Sequence, residues 1–366
     1  MLGMSYGVAQ SAFSIYSAEI ASPNHRGIAG SFSGAIGLPL LVVASVISTE
    51  AVLGSETSWH YLHVVSALLS CIAMLLGLFA PESPRFTYFN RQNRAQAASD
   101  LKRLHGSGYS VEKTFHDYDA ELLQAACESK VNYSLSTIVS QYHLRMGFFV
   151  GILGAIARAC CGADVYNVYS AKLFHDALPK QYLEPVIVTS MAVQLIPVFT
   201  TPFFIARCRR RPLFLNLILL NMTINAAFML SLLLYSHYQT RPLIYLACGC
   251  FFVASPLFLL GITPIGFILA AESSPYGTRA RCTAVSIATF FTCLAIQFVA
   301  FPIVNDELGP YSILIVIIPS AAVLACLYKW MPETQGIPIN EVVDKWIEKK
   351  NSLLLEDTKN SPCEQA

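Results

Sequence analysis

Charge is what this 366-residue chain has least of. Asp, Glu, Lys and Arg make up 13% of it, against 54% hydrophobic residues and a mean hydropathy of +0.51. A soluble globular protein carries about 25% charged residues, so the composition excludes an ordinary water-soluble domain and places the chain in a bilayer. A net charge of +1 lacks the basic footprint that nucleic acid requires, so no nucleic-acid partner is expected. There is no glycine-rich phosphate loop, nucleophile elbow or zincin motif, which argues against an enzyme. The 11 cysteines have no metal-ligand spacing: Cys160 and Cys161 are adjacent, and Cys248 and Cys250 are separated by one residue. Most lie in apolar runs, where cysteine behaves as a small hydrophobe. The eight histidines are scattered, and neither a metal nor a cofactor is expected. The opening Met1-Leu2-Gly3-Met4 carries no basic residue and does not read as a signal peptide.

What the chain has instead is long apolar runs. A spanning helix needs roughly 20 mostly apolar residues. Nine stretches qualify: about 2–22, 28–50, 60–80, 145–171, 183–206, 212–236, 243–272, 282–304 and 309–331. The only long polar stretch runs from Phe86 to His143, where 91–105 and 112–130 have the pattern of amphipathic helices. With the Arg26–Gly27 turn placed inside, 20 of the 24 Lys and Arg residues fall in cytosolic segments. Lys172, Lys180 and Arg241 fall outside, and Arg158 lies within a helix. That asymmetry puts the C-terminus in the cytosol. In the tail, Ile339, Val342, Val343, Trp346 and Ile347 form an apolar stripe expected to lie against the bundle or the inner membrane surface.

The stretch from Glu272 to Arg279 has a twin from Glu19 to Arg26: an acid closes an apolar run, and an arginine follows seven residues later across a Pro-containing turn. Each copy is followed by a second marker, Pro81-Glu82-Ser83-Pro84-Arg85 and Pro332-Glu333-Thr334-Gln335-Gly336. Glu19 precedes Glu82 by 63 residues and Glu272 precedes Glu333 by 61, so the two halves are structurally related. The second half has three spans before its acid-bearing helix and the first half has none. By symmetry, three helices are missing from the N-terminus. The expected division is a partial N-terminal bundle of three spans over 1–84, a cytosolic linker over 85–143, a six-helix bundle over 144–331 and a cytosolic tail over 332–366.

Together these motifs resemble the sugar porter branch of the major facilitator superfamily, most closely the facilitative glucose transporters, over about residues 5–350. The resemblance implies an all-α polytopic fold of two helix bundles that rock about a central site. It implies facilitated movement of a hexose or similar small polar solute by alternating access, in a multi-pass membrane protein of the plasma membrane. It also carries cytosolic charge motifs that lock the outward-open state onto Glu19, Arg26, Glu82, Arg85, Arg207, Arg210, Arg211, Glu272, Arg279 and Glu333. Acids and arginines at helix ends form bidentate pairs, and breaking several of them biases a two-state element. The 207–211 cluster departs from the family pattern at Ala206 and Arg209.

The sugar-contacting positions depart further. Two neighbouring glutamines of the family fall at Arg158 and Ala159, an asparagine at Asp164, and a further glutamine at Gly34. The family's tryptophan falls at Phe267, an asparagine at Phe290 and an acid at Leu259. Gly162, Tyr169 (matching the gate tyrosine) and Gln194 keep the pattern or come near it. The implied cavity set is therefore Arg158, Asp164, Asn167, Tyr169, Gln194 and Phe267. A site built for hydroxyls loses about 1–3 kcal/mol for each buried partner mishandled, so several such losses would abolish ordinary glucose affinity. A charge within a span costs roughly 2.5–3.5 kcal/mol and marks a functional site by default; the alternative for Arg158 and Asp164 is pairing with another helix. On a continuous helix these two lie about 120° apart, whereas Asp164 and Asn167 share a face. A second reading of the whole is a non-transporting sensor or partner of full-length carriers. An incomplete gene product is a third, and a homo- or hetero-oligomer would supply missing helix contacts.

Overall fold

A computed structural model of the chain describes residues 16, 20, 37, 39–106, 108–116, 118–119, 134–174, 178–274, 276–334 and 346. They fall into two compact units, Met1–Val131 and Asn132–Ala366. No strand occurs among the described residues.

In the first unit, residues 39–47 are helical and α1 follows over His60–Gly77. No residue of α1 is buried, and Leu68, Leu69, Leu75 and Leu76 are all more than half exposed. Water does not tolerate such a surface, so lipid or further protein covers it. The expected spans 2–22 and 28–50 lie largely outside the described residues, as do Glu19 and Arg26.

The Pro-Glu-Ser-Pro-Arg motif builds a helix start. Ser83 caps α2 (Pro84–Phe89) by accepting from the Phe86 N–H at 3.2 Å, and Pro84 occupies the first turn, where no N–H is needed. Asn93 caps α3 (Arg94–His105) in the same way through the Gln96 N–H, and Lys102, Arg103 and His105 suit the negative end of the helix. Thus α3 falls within the expected 91–105 helix. Of 112–130, residues 112–116 are helical and 120–130 lie outside the described residues.

A polar knot closes this segment. Asp119 accepts from the Tyr88 hydroxyl at 2.6 Å and from Arg94 Nη2 through both carboxylate oxygens, at 2.8 and 2.9 Å. The Tyr88 hydroxyl, helped by the Arg94 guanidinium against the opposing effect of desolvation, holds the Asp119 carboxyl below its ordinary value. A depressed carboxyl contributes stability that is complete above its unfolded value of about 3.9 and is lost as pH falls through the folded value. Limited proteolysis within 85–119 is therefore expected to accelerate below pH of about 4. Asp119→Asn should remove that pH dependence; an unchanged profile would contradict the role given to the knot.

The second unit begins with the short α4 (Leu135–Ser140) and the central helix α5 (Tyr142–Ala159). Then come α6 (Ala163–Phe174), α7 (Lys180–Val193), α8 (Leu195–Arg207), α9 (Arg210–Tyr238) and α10 (Arg241–Leu257). One π-helical turn, Phe258–Ile262, joins α10 to α11 (Thr263–Glu272). Next is α12 (Tyr276–Leu308), from which a 3-10 turn, Gly309–Ile313, leads to α13 (Leu314–Trp330). Helix α5 packs against α11, α12 and α13.

Close approach explains the glycines of α5. A Cβ at Gly147 would collide with the Ser273 carbonyl, and one at Gly151 would lie 2.8 Å from Ala270 Cβ. At Gly154 it would lie 3.0 Å from Leu269 Cδ2, while a Cβ at Gly266 would lie 3.0 Å from the Gly154 carbonyl. Between helices in lipid there is no hydrophobic driving force, so small residues that let backbones touch carry the association. Trp346 of the tail is buried in this unit's core beside Gly147, the one position of the apolar stripe that is described.

Six helical stretches among the described residues are long and apolar enough to cross a membrane: His60–Gly77, Leu144–Ser170, Gln181–Ile205, Arg210–Tyr238, Arg241–Ala270 and Thr278–Trp330. The last contains 282–304 and all but the final residue of 309–331. Its 53 residues would reach about 80 Å if straight, more than twice a hydrocarbon core of about 30 Å, and the 3-10 turn divides it.

The 145–171 span is one crossing made of two helices. The chain breaks at Cys160–Gly162, where Gly162 takes φ +84°. A break in lipid survives only if its freed carbonyls are satisfied within protein. Here Ser320 donates to the Cys160 carbonyl at 2.6 Å, Asn225 Nδ2 to the Cys161 carbonyl at 3.2 Å, and the Cys161 thiol to the Arg158 carbonyl at 2.8 Å. Two prolines create similar debts. Pro302 has no N–H for the Phe298 carbonyl, and in the π register Pro264 has none for Leu259. Tyr169 donates to the first at 2.8 Å and Thr201 to the second at 2.9 Å.

Candidate functional site

Three groups of side chains stand out in the second unit. The first surrounds Arg158, near the end of α5. Its guanidinium carbon lies 3.5 Å from the Phe290 ring centroid and 3.9 Å from that of Phe267, with Phe258 at 5.9 Å. Desolvated cation–π contacts contribute on the order of 2 kcal/mol each, so the aromatic cage offsets part of the cost of a charge within a span. Beside it is a void of about 10 Å³ lined by Arg158, Phe267, Phe290, Thr283 and Ser286 among others. That is room for about one water.

The second group lies past the break, on α6. Gln194, only 2% exposed, sits where α7 gives way to α8 and donates through Nε2 to Asn167 Oδ1 at 3.1 Å. Asn167 stands one turn beyond Asp164 on α6, and Asp164 Oδ2 is enclosed without a hydrogen-bond partner. The break also removes the continuous-helix geometry on which the 120° separation of Arg158 and Asp164 rested. Tyr169 turns elsewhere: besides its bond to the Phe298 carbonyl, its ring stacks on Phe301 at 5.5 Å.

The third group gathers charges from three helix ends. Arg210 pairs with Glu272, the two side chains being 19% and 26% exposed. Glu333 accepts from the backbone N–H groups of Arg210 at 3.0 Å, Arg211 at 3.3 Å and Thr334 at 3.1 Å. The first two are open donors at the start of α9, where an anion also meets the positive end of the helix. Arg211 itself donates to the Tyr328 carbonyl at 2.8 Å. Arg207 stands apart, with its guanidinium 3.9 Å from the Phe203 centroid, and Arg279 lies half-buried in the first turn of α12.

In the first unit, Glu82 pairs with Arg91 at 3.0 Å, and Arg85 lies 5.4 Å from the Phe89 centroid. Sequence reasoning passed over Arg91, and also Asn225, Ser320 and Thr201, which satisfy the broken backbone. Pro264, Pro302 and Gly162 were the available signals, since each marks carbonyls that need a donor from outside their own helix.

These features define a polytopic all-α membrane protein in which polar side chains support broken helices and charges gather at helix ends. Residues 1–346 match the Sugar (and other) transporter family, and the chain belongs to it. Its relatives include the solute carrier family 2, facilitated glucose transporter member 2 of Rattus norvegicus, 26% identical over 353 residues, which cover 96% of this chain and 66% of the relative. Member 7 of the same family from Mus musculus is 25% identical over 347 residues, 93% of this chain and 66% of the relative. The chain spans about two thirds of the length of these relatives, 66% in each case. The inward-open structure of the xylose transporter XylE from E. coli superposes with a TM-score of 0.69 at 17% identity, covering 91% of this chain and 69% of that one. XylE is a major facilitator superfamily protein, and this chain has that fold. The family is one of transporters rather than enzymes.

Proposed function

We propose that the chain is a sugar-porter carrier that moves a hexose or similar small polar solute by alternating access. The observation that carries this reading is the junction of Arg210 with Glu272 and of the α9 start with Glu333. Three helix ends held by charge-assisted bonds make an element that has one arrangement when joined and another when parted. The resemblance adds Arg207, Arg211 and Arg279 to this cytosolic network, and assigns Glu19, Arg26, Glu82 and Arg85 to the corresponding charge motifs of the first half. Arg158, Asp164, Asn167, Tyr169, Gln194 and Phe267 line the solute path. The reading divides the chain into bundles over 1–84 and 144–331, a linker over 85–143 and a tail over 332–366. It places the protein in the plasma membrane, with a cytosolic C-terminus and with association between carriers covering exposed helix faces such as that of α1.

The cavity role is tested at Asp164. With Oδ2 enclosed and lacking a partner, the carboxylate is held ready for a solute donor. Asp164→Asn keeps its size and should weaken or redirect solute binding by about 10-fold, the worth of one charge-assisted hydrogen bond, with membrane expression unchanged. Loss of expression with solute affinity unaltered in the surviving protein would assign Asp164 to packing instead.

A further inference from the structure

A groove of about 640 Å³ runs between α9 and α13, within the range of about 300–1,000 Å³ usual for ligand sites. Leu215, Leu219 and Met222 line it from α9, and Ala321, Leu324 and Ala325 from α13. Both sets follow helical spacing. The two alanines create the space, because larger side chains at 321 and 325 would fill it. Asn216, Leu219, Ala321, Ala325 and Tyr328 are exposed, so the groove opens away from the bundle, toward lipid.

One end of the groove is cationic. Arg211 lines it and donates across to the Tyr328 carbonyl at 2.8 Å. Arg209, just before α9, and Lys329, just after Tyr328, are both exposed. Among the described residues, the acids at these helix ends are Glu272, paired with Arg210, and Glu333, which accepts from the start of α9. Arg207, Arg209, Arg210, Arg211 and Lys329 outnumber them, and no acid lines the groove.

Depth sorts the remaining groups. From Arg211 to Met222 the α9 wall rises about 16 Å, which fits within one leaflet of roughly 20 Å including its polar layer. Asn216 lies roughly 7 Å along that wall, at the inner edge of a polar layer of roughly 5–7 Å. Its amide has no hydrogen-bond partner among the described residues, and an amide facing lipid is costly until an acceptor meets it. Cation, amide and apolar wall thus succeed one another as phosphate, ester and acyl chain do in a lipid. We propose that this groove binds an anionic phospholipid, with its phosphate at Arg211, an ester carbonyl at Asn216 and one acyl chain along Leu219 and Met222. A free phosphate would use the cationic end alone and leave the amide and the apolar wall unoccupied. Basic sites between membrane helices recognise anionic headgroups in this way.

Native mass spectrometry of the full chain released from detergent reads bound lipid directly. Dioleoyl phosphatidylserine and dioleoyl phosphatidylcholine share acyl chains and differ in net charge, and each is titrated separately. The first phosphatidylserine should bind at least about fivefold more tightly than the first phosphatidylcholine, the effect of one cation near the headgroup. Arg211→Gln should lower that preference by about fivefold. Ala325→Trp fills the groove from an exposed position and should weaken phosphatidylserine by about 10-fold, as displacing two methylene groups would. Equal affinity of the wild-type protein for the two lipids would overturn the proposal, even if Arg211→Gln fails to fold. So would phosphatidylserine binding that is unchanged in monodisperse Ala325→Trp. Complete displacement by glycerophosphoserine, the same headgroup without chains, would reduce the groove to an inorganic-type anion site and also overturn it. A lipid-free dimer that Ala325→Trp dissociates would assign the groove to a second copy of the chain instead. No solute enters these measurements, so their failure leaves the carrier reading intact, and absent uptake leaves the lipid site intact.

Discussion

Gly162→Ala is expected to destabilise the protein by about 2–5 kcal/mol, summing a left-handed backbone cost with overpacking. The residue holds φ +84°, where an L side chain is strained whatever the space around it. There is also no space: a Cβ would lie 2.9 Å from both Tyr166 Cε2 and Val316 Cγ1. Tyr166 is 1% exposed among Phe228 and Phe301, so it cannot swing clear without disturbing that cluster. Relief by straightening the break would withdraw the Cys160 and Cys161 carbonyls from Ser320 and Asn225. Thermal unfolding followed by size-exclusion chromatography in detergent should show a melting temperature lower by several degrees and reduced monodisperse yield. A variant that melts with the wild type would mean that the break is not structurally required.

The second large effect belongs to the charge junction. Glu272→Ala leaves Arg210 partly buried beside an empty position, and Glu333→Ala leaves the N–H groups of Arg210 and Arg211 without their acceptor. If the lock sets the balance between two states, each change should lower uptake by about 5–150-fold, the span of a coupling of 1–3 kcal/mol. The two variants should not be additive, because both loosen the same helix start at Arg210. Reduced amounts of protein with normal turnover per molecule would assign the junction to folding alone.

Much of this fold was legible because its determinants are local. Apolar runs of the required length marked the helices, and Ser83-Pro84 and Asn93 carry helix starts in their own side chains. The charges of the second half were legible in part: the repeat singled out Glu272 and Glu333, and the family resemblance added Arg210 and Arg211. Their bonding was not. Glu333 accepts from backbone donors at the start of α9, and Arg207 turns away to Phe203. The break at Gly162 was hidden because unbroken apolarity reads as an unbroken helix; positive φ is a property of the backbone, not of hydropathy. The cage around Arg158 joins residues 109 and 132 positions away, Phe267 and Phe290. No local periodicity reports that distance.

The most direct test of the central claim is counterflow in vesicles containing only this chain. Vesicles preloaded with unlabelled glucose are diluted into labelled glucose. Alternating access through one site predicts a transient accumulation of label that is saturable, reduced by Asp164→Asn and reduced about 5–150-fold in Glu272→Ala. A correctly inserted, monodisperse protein that shows no counterflow would contradict the account.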